Sequence, residues 1–169
     1  LLFRVLDFTA AFLGILLTAP ILLIVIIAGY YDTGSPIFRQ TRVGRGKRPF
    51  TLIKFRTMTV ETQSVASHLA SPASITTVGR FLRKTKLDEL PQLINVLKGD
   101  MSLVGPRPCL FNQSDLIVAR EALGVFDVLP GITGLAQVND IDMSTPKLLA
   151  EWDKRMIEVF SLSAYFRYI

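Results

Sequence analysis

The strongest constraint on this chain is an uncharged run from Phe8 to Tyr31 with a proline, Pro20, near its middle. A stretch that long and apolar reads as a helix sized for a lipid bilayer. A secretory leader fits less well, because Asp7 stands where a basic leader belongs and no small-residue cleavage site follows cleanly. Pro20 has no backbone N–H to donate and bends a helix, here just after Thr18 and Ala19. Arg4 precedes the run, and Arg39, Arg42, Arg45, Lys47 and Arg48 follow it, so the positive-inside rule holds both ends on the cytoplasmic side. Each half, at ~1.5 Å per residue, reaches ~18 Å, roughly half the hydrocarbon thickness. The sequence therefore favours residues 1–31 as a re-entrant membrane helix bent near Pro20. A kinked span stays open, since proline kinks are common in ordinary membrane helices.

The remaining residues, 32–169, are enough for one domain with one core. A formal charge of +5 calls for a negatively charged partner, and composition alone does not choose among a phosphorylated substrate, anionic lipid and nucleic acid. Cys109 is the only cysteine, which excludes an internal disulfide and suits a cytosol-facing domain. His68 is the only histidine, so a Cys/His zinc site is excluded, and its Ser/Ala-rich surroundings read as a solvated loop.

The candidate site centres on Lys86-Leu87-Asp88-Glu89-Leu90-Pro91-Gln92-Leu93. Leu90, Leu93, Ile94 and Leu97 fall at helical spacing, and Pro91 is tolerated only in a first turn, so Asp88 and Glu89 sit at a helix start. There the helix dipole favours an ionised Asp88, and Arg80, Arg83, Lys84 and Lys86 surround the pair with positive charge. Two readings stand side by side: a site for phosphate chemistry, or an N-capping Asp followed by a first-turn Glu.

Elsewhere, Phe50 to Met58 reads as a strand with Lys54 and Arg56 on one face, and Ile37 to Gln40 as a short strand before it. Thr59 to Thr77 reads as a loop over the site or a linker, and Val78 to Lys84 as a helix. Pro106 and Pro108 fix the backbone on both sides of Arg107, which holds its guanidinium ready for a ligand. Gly131 and Gly134 allow a close backbone approach before a strand at Leu135 to Val138. A helix from Pro146 to Phe160 precedes an aromatic, interfacial end at Leu162 to Tyr168. There is no glycine-rich nucleotide fingerprint and no Walker motif.

Taken in order, the proline-broken apolar segment, Lys54-Phe55-Arg56-Thr57-Met58, Lys86 to Leu93, Leu97-Lys98-Gly99-Asp100-Met101-Ser102, Val104 to Pro108 and Pro130-Gly131-Ile132-Thr133-Gly134 resemble the monotopic phosphoglycosyl transferases, the bacterial sugar transferase family. The resemblance covers nearly the whole chain. It implies a small α/β (α+β) domain with a re-entrant helix and amphipathic interfacial helices, on the cytoplasmic face of the bacterial inner membrane. It implies transfer of a sugar-1-phosphate from a UDP-sugar to polyprenol phosphate through a phosphosugar on Asp88, with release of UMP. Glu89 would bind Mg²⁺ with Asp88 or handle a proton. Lys54, Arg56 and Arg83 would meet phosphates, Pro106-Arg107-Pro108 the uridine end, and Gly131 and Thr133 the substrate. The implied partners are UDP-sugar, polyprenol phosphate and membrane lipid, with a homodimer left open and no nucleic acid.

Three departures stand out. Asn139-Asp140-Ile141 replaces a frequent Asn-Gly-Arg, so another residue must supply a nucleotide contact; the change points to N-acetylated or 6-deoxy sugars. Ala19 replaces a frequent Ser before Pro20, and Ser163-Ala164-Tyr165 lacks a usual Asp. A rival reading from another class is a non-catalytic, membrane-anchored binding module, and a second enzymatic one is single-step transfer with Asp88 as base.

Overall fold

A computed structural model describes residues 1–62 and 72–169. His68 and much of the Ser/Thr/Ala-rich stretch lie outside the described residues. The chain begins with a 32-residue helix, α1 (Leu2–Thr33), that contains Pro20 and ends on Gly34 in the left-handed conformation. The turn before Pro20 gains a side-chain bond, because the Thr18 hydroxyl donates to the Gly14 carbonyl at 2.6 Å. That bond stands one residue before the Ala19 position.

One stripe of α1 meets the domain along its whole length. Near the start, Asp7 is buried and accepts hydrogen bonds from the Leu103 N–H (2.9 Å) and the Tyr165 hydroxyl (2.8 Å). Tyr165 is thus the partner found in the segment that lacks the family's usual Asp. Ala11 is in the main core with Val96, Leu103 and Tyr165, and Gly14 lies against Leu93. Farther on, Leu22, Val25 and Ile26 pack on Phe55 and Leu82, and Gly29 lies against Pro36. The opposite face, including Phe8, Phe12, Leu16, Leu17, Leu23 and Ile24, is exposed. An apolar surface of that extent is a surface for lipid or partner, not for water.

After Gly34 the chain forms an antiparallel hairpin, β1 (Ile37–Val43) and β2 (Pro49–Phe55), with Phe38 opposite Lys54, Gln40 opposite Leu52 and Arg42 opposite Phe50. Helices α2 (Thr77–Thr85) and α3 (Gln92–Lys98) follow, with a single 3₁₀ turn, Leu87–Glu89, between them. Asn95 joins α3 to the hairpin edge: its Nδ2 donates to the Thr51 carbonyl (2.7 Å) and its Oδ1 accepts from the Ile53 N–H (3.0 Å). A buried amide here takes up backbone groups that an edge strand would otherwise leave unpaired.

Strands β3 (Ser102–Val104) and β4 (Gly131–Thr133) pair in parallel across α4 (Ser114–Ala122). Their contact depends on glycine, since a Cβ on Gly131 would lie 2.0 Å from the Gly105 nitrogen. Leu135–Val138, expected as a strand, is instead a short helix, α5. The Val138 N–H bonds back to Gly134, and the Asn139 amide donates to the Leu135 carbonyl, so a turn of helix satisfies this segment locally. Helices α6 (Pro146–Glu158) and α7 (Leu162–Arg167) complete the α+β domain. On α2, α3 and α7, Phe81, Ile94, Leu162 and Phe166 are exposed beside basic residues, the pattern of interfacial helices.

Candidate active site

Asp88 and Glu89 lie in the 3₁₀ turn, and α3 begins only at Gln92, with Pro91 before it and no side-chain cap. The N-capping role considered for Asp88 is therefore absent. Pro91 sets the helix start, and its ring is compatible only with the positions at or beside that start. Asp88 is recessed, with 6% of its surface exposed, and its carboxylate accepts no hydrogen bond among the described residues. Burial and the neighbouring Glu89 push its pKa up from the usual carboxylate value, while Lys54, Arg83 and Arg107 pull it down. These three side chains bring positive charge to an Asp88 that already lies in the first turn of a helical segment.

Each cation arrives by a different route. Lys54 projects from β2 across the Phe38 ring, and burial lowers its pKa to about 8 despite the attraction of Asp88. Arg83, on α2, donates from Nε to the Thr57 hydroxyl at 2.9 Å. That approach needs Gly79 in α2, where a Cβ would lie 2.0 Å from the Thr57 carbonyl oxygen. Arg107 forks onto Glu89, with Nη2 to Oε1 at 2.5 Å and Nη1 to Oε2 at 3.5 Å. The Glu89 carboxyl is held below its usual range by Arg107 against the opposing effect of burial.

The Pro106-Arg107-Pro108 turn is held from behind. Arg120 and Asp153 form a buried ion pair, each about 1% exposed, with Nε to Oδ2 at 2.9 Å. Arg120 Nη1 also donates to the Arg107 carbonyl at 2.8 Å. Arg42 Nη1 donates to the Pro108 carbonyl at 3.1 Å. A cleft of about 320 Å³ opens beside this turn, lined by Arg42, Lys54, Lys86, Arg107, Pro108 and Gln137 among others.

The structure thus brings Asp88, Glu89, Lys54, Arg83 and Arg107 into one electrostatic group. Arg56 also lies over the Phe38 ring, but its guanidinium reaches Ser35, with Nε to the carbonyl at 2.9 Å, in the turn after α1. Gly131 and Thr133 do not line the cleft. Gly131 donates its N–H to the Pro106 carbonyl (2.9 Å), and the Thr133 hydroxyl donates to the Tyr168 carbonyl (2.7 Å). Pro106 likewise stands behind the turn, not on the cleft wall. Arg42 escaped notice in the sequence, where it counted only as a charge after the membrane run. The cross-hairpin register that places it on the Lys54 face was the missing signal.

Asp88 and Glu89 offer hard oxygen donors, and the described residues contain no group of three or more His, Cys, Asp or Glu side chains that could hold an ion alone. The pair fits a magnesium ion that takes one or two carboxylates and completes its shell with water and substrate phosphate. The Asp88 oxygens, which accept no hydrogen bond among the described residues, would ligate it, and Glu89 would divide its oxygens between the ion and Arg107.

Fold and site together set a recessed carboxylate among three cations beside a helix that exposes a long apolar face. Residues 1–169 match the model of the bacterial sugar transferase family, and the chain belongs to that family. It is similar to an uncharacterized sugar transferase, EpsL, of Bacillus subtilis (strain 168), at 47% identity over 137 residues, 80% of this chain and 67% of that protein. A UDP-glucose:undecaprenyl-phosphate glucose-1-phosphate transferase of Caulobacter vibrioides is 46% identical over 143 residues, 82% of this chain and 54% of the relative. A protein of the same description from Escherichia coli (strain K12) is 43% identical over 144 residues, 82% of this chain and 31% of the relative. The chain therefore spans about half of the second relative and under a third of the third.

Proposed function

We propose that this chain transfers a sugar-1-phosphate from a UDP-sugar to undecaprenyl or a similar polyprenol phosphate in two displacements at Asp88. The observation that carries this reading is the Asp88 carboxylate itself, recessed among Lys54, Arg83 and Arg107 yet without a hydrogen-bond partner among the described residues. Its oxygens are not among the described polar atoms sealed from solvent, so the carboxylate is open to a ligand. In the first step an Asp88 oxygen attacks the β-phosphorus, the bond from that phosphorus to the bridging oxygen breaks, and its electron pair leaves on UMP. In the second, an oxygen of the lipid phosphate attacks the same phosphorus and the Asp88 carboxylate leaves with its electron pair. Lys54 and Arg83 offset the repulsion between the diphosphate and the nucleophile, and Arg107 holds Glu89 in place. Mg²⁺, bound at Asp88 and Glu89, would supply neutralisation of diphosphate charge.

The acceptor is a membrane lipid, and α1 supports a site at that surface. Both of its ends meet the same domain while the outward face is apolar. A helix of 32 residues whose two ends share one domain is best accommodated by entering and leaving one leaflet, with the domain on the cytoplasmic face of the bacterial inner membrane. A non-catalytic binding module would have no use for the unpartnered Asp88.

The test is UMP release by the purified chain over a panel of UDP-sugars, with and without polyprenol phosphate. Release with one donor, lost by ~10³-fold or more in Asp88→Asn, is the expected result. Intact-mass measurement without acceptor is expected to show a phosphosugar adduct that Asp88→Asn cannot form. Undiminished UMP release by Asp88→Asn would refute the assignment, and turnover without any trappable adduct would favour single-step transfer.

A further inference from the structure

Among the described residues, four side-chain polar atoms are sealed from solvent without a hydrogen-bond partner. Two of them, Arg120 Nη2 and Asp153 Oδ1, belong to the buried ion pair. The other two, Arg42 Nε and Gln137 Oε1, belong to residues that line the same cleft. Both residues line the cleft, and Arg42 brings there a guanidinium whose hydrogen bonds go only to neutral oxygens.

Arg42 is the stronger signal. Only 8% of it is exposed, and it is a cation among neutral groups: Nη1 donates to the Pro108 carbonyl at 3.1 Å and Nη2 to Gln40 Oε1 at 2.6 Å. A guanidinium has five N–H groups, so most of its donor capacity is unused. No carboxylate pairs with it among the described residues, and the charge it feels most, Arg107, has the same sign. Buried arginines are normally paired, because a desolvated charge without a counterion is strongly unfavourable. What is missing is an anion.

The hairpin register gives the order of groups along the cleft. On one face the Gln40–Leu52 pair separates Arg42 from Lys54, and Arg42 holds the Pro108 carbonyl, one residue past the Arg107 that grips Glu89. Arg42 therefore lies one step beyond Lys54.

We propose that Arg42 binds the phosphate that stays with the nucleotide, the one attached to the ribose. This rests on the reading of Asp88 as nucleophile toward the outer phosphorus. When the bond between that phosphorus and the bridging oxygen breaks, the electron pair remains on the nucleotide's phosphate. Arg42 meets the charge that develops there.

The test is calorimetric titration of the full chain in detergent with UMP and with uridine. The wild type is expected to bind UMP at least tenfold tighter than uridine. In Arg42→Met that ratio is expected to collapse toward unity with uridine affinity unchanged, and Arg42→Lys to retain part of it. UMP affinity within twofold of wild type in Arg42→Met overturns the proposal. So does equal loss of uridine and UMP in both variants, which would make Arg42 a brace for Pro108. A wild type that binds neither ligand refutes the nucleotide-dependent function itself, whereas wild-type binding with an unaffected Arg42→Met refutes only the role of Arg42.

Discussion

Replacing Arg120 by Met separates stability from catalysis at the turn that holds Arg107. Arg120 and Asp153 are each about 1% exposed, and the pair is joined at 2.9 Å and 2.7 Å. Removing one member of a buried pair leaves the other uncompensated, at a cost of about 3–5 kcal/mol. For a chain of this size each kcal/mol moves the melting temperature by about 2–4 °C, so Arg120→Met should melt roughly 6–20 °C lower. Burial already pushes the Asp153 pKa up, and without Arg120 that carboxyl should take a proton, which limits the loss. Adding Asp153→Leu removes the stranded group, and the double variant should return to within ~1 kcal/mol of wild type or exceed it. Activity should not return with it. Both variants lack the 2.8 Å bond to the Arg107 carbonyl, and a loss of ~1.4 kcal/mol in positioning gives about tenfold slower UMP release. Scanning fluorimetry in detergent and a UMP-release assay on the same samples check both arms. A single variant that melts within ~2 °C of wild type, or a double variant with full activity, would refute the reasoning.

Lys54 gives a pH signature. Its folded pKa of about 8 lies below the ordinary 10.5, so between those values the unfolded chain holds a proton that the folded chain has released, and this group's contribution to stability rises with pH across that window. For catalysis the sign is opposite: kcat/KM should fall above about pH 8 as the phosphate clamp loses charge, and Lys54→Arg should move that decline upward, whereas an unchanged alkaline limb would exclude Lys54 as its source. Asn95→Leu strands the Thr51 carbonyl and the Ile53 N–H and should destabilise by ~2–4 kcal/mol in thermal melts. Gly131→Ala drives a methyl into the Gly105 backbone, and its melting temperature should fall together with UMP release, since β3 and β4 carry the Arg107 turn.

What the sequence made legible was whatever sits in a contiguous segment with a strong local period. Lys54, Asp88, Glu89, Arg83 and Arg107 could be picked because each lies in a short element whose punctuation, a proline or a strand alternation, fixes its direction. Arg42 and Asn95 could not. Arg42 acquires its meaning from pairing opposite Phe50, and Asn95, outside the apolar stripe of Leu90, Leu93, Ile94 and Leu97, is buried because it caps a strand edge that the sequence does not announce. Leu135–Val138 was misread as a strand because four residues carry too little periodicity to separate the two states, and local bonds from Val138 and Asn139 decided it. The helix start expected at Asp88 takes the form of a 3₁₀ turn with both carboxylates in its first turn, continuing through Leu90 and Pro91 into α3, and the cations from β2, α2 and the Arg107 turn add to that local effect.

Prolines explain why so many buried arginines gather behind one turn. Pro106 and Pro108 fix the backbone around Arg107, but neither has an N–H, so the turn's own backbone is rich in acceptors and poor in donors. Carbonyls in such a place need donors from elsewhere. Arg120 supplies one at Arg107, Arg42 one at Pro108 and Gly131 one at Pro106. Two of these three donors carry a full positive charge into a region that Asp153 neutralises only at Arg120. The rigidity of the turn and the positive potential of the cleft thus have one origin: the side chains that satisfy a proline-bound backbone are the same ones that leave the cavity in need of an anion.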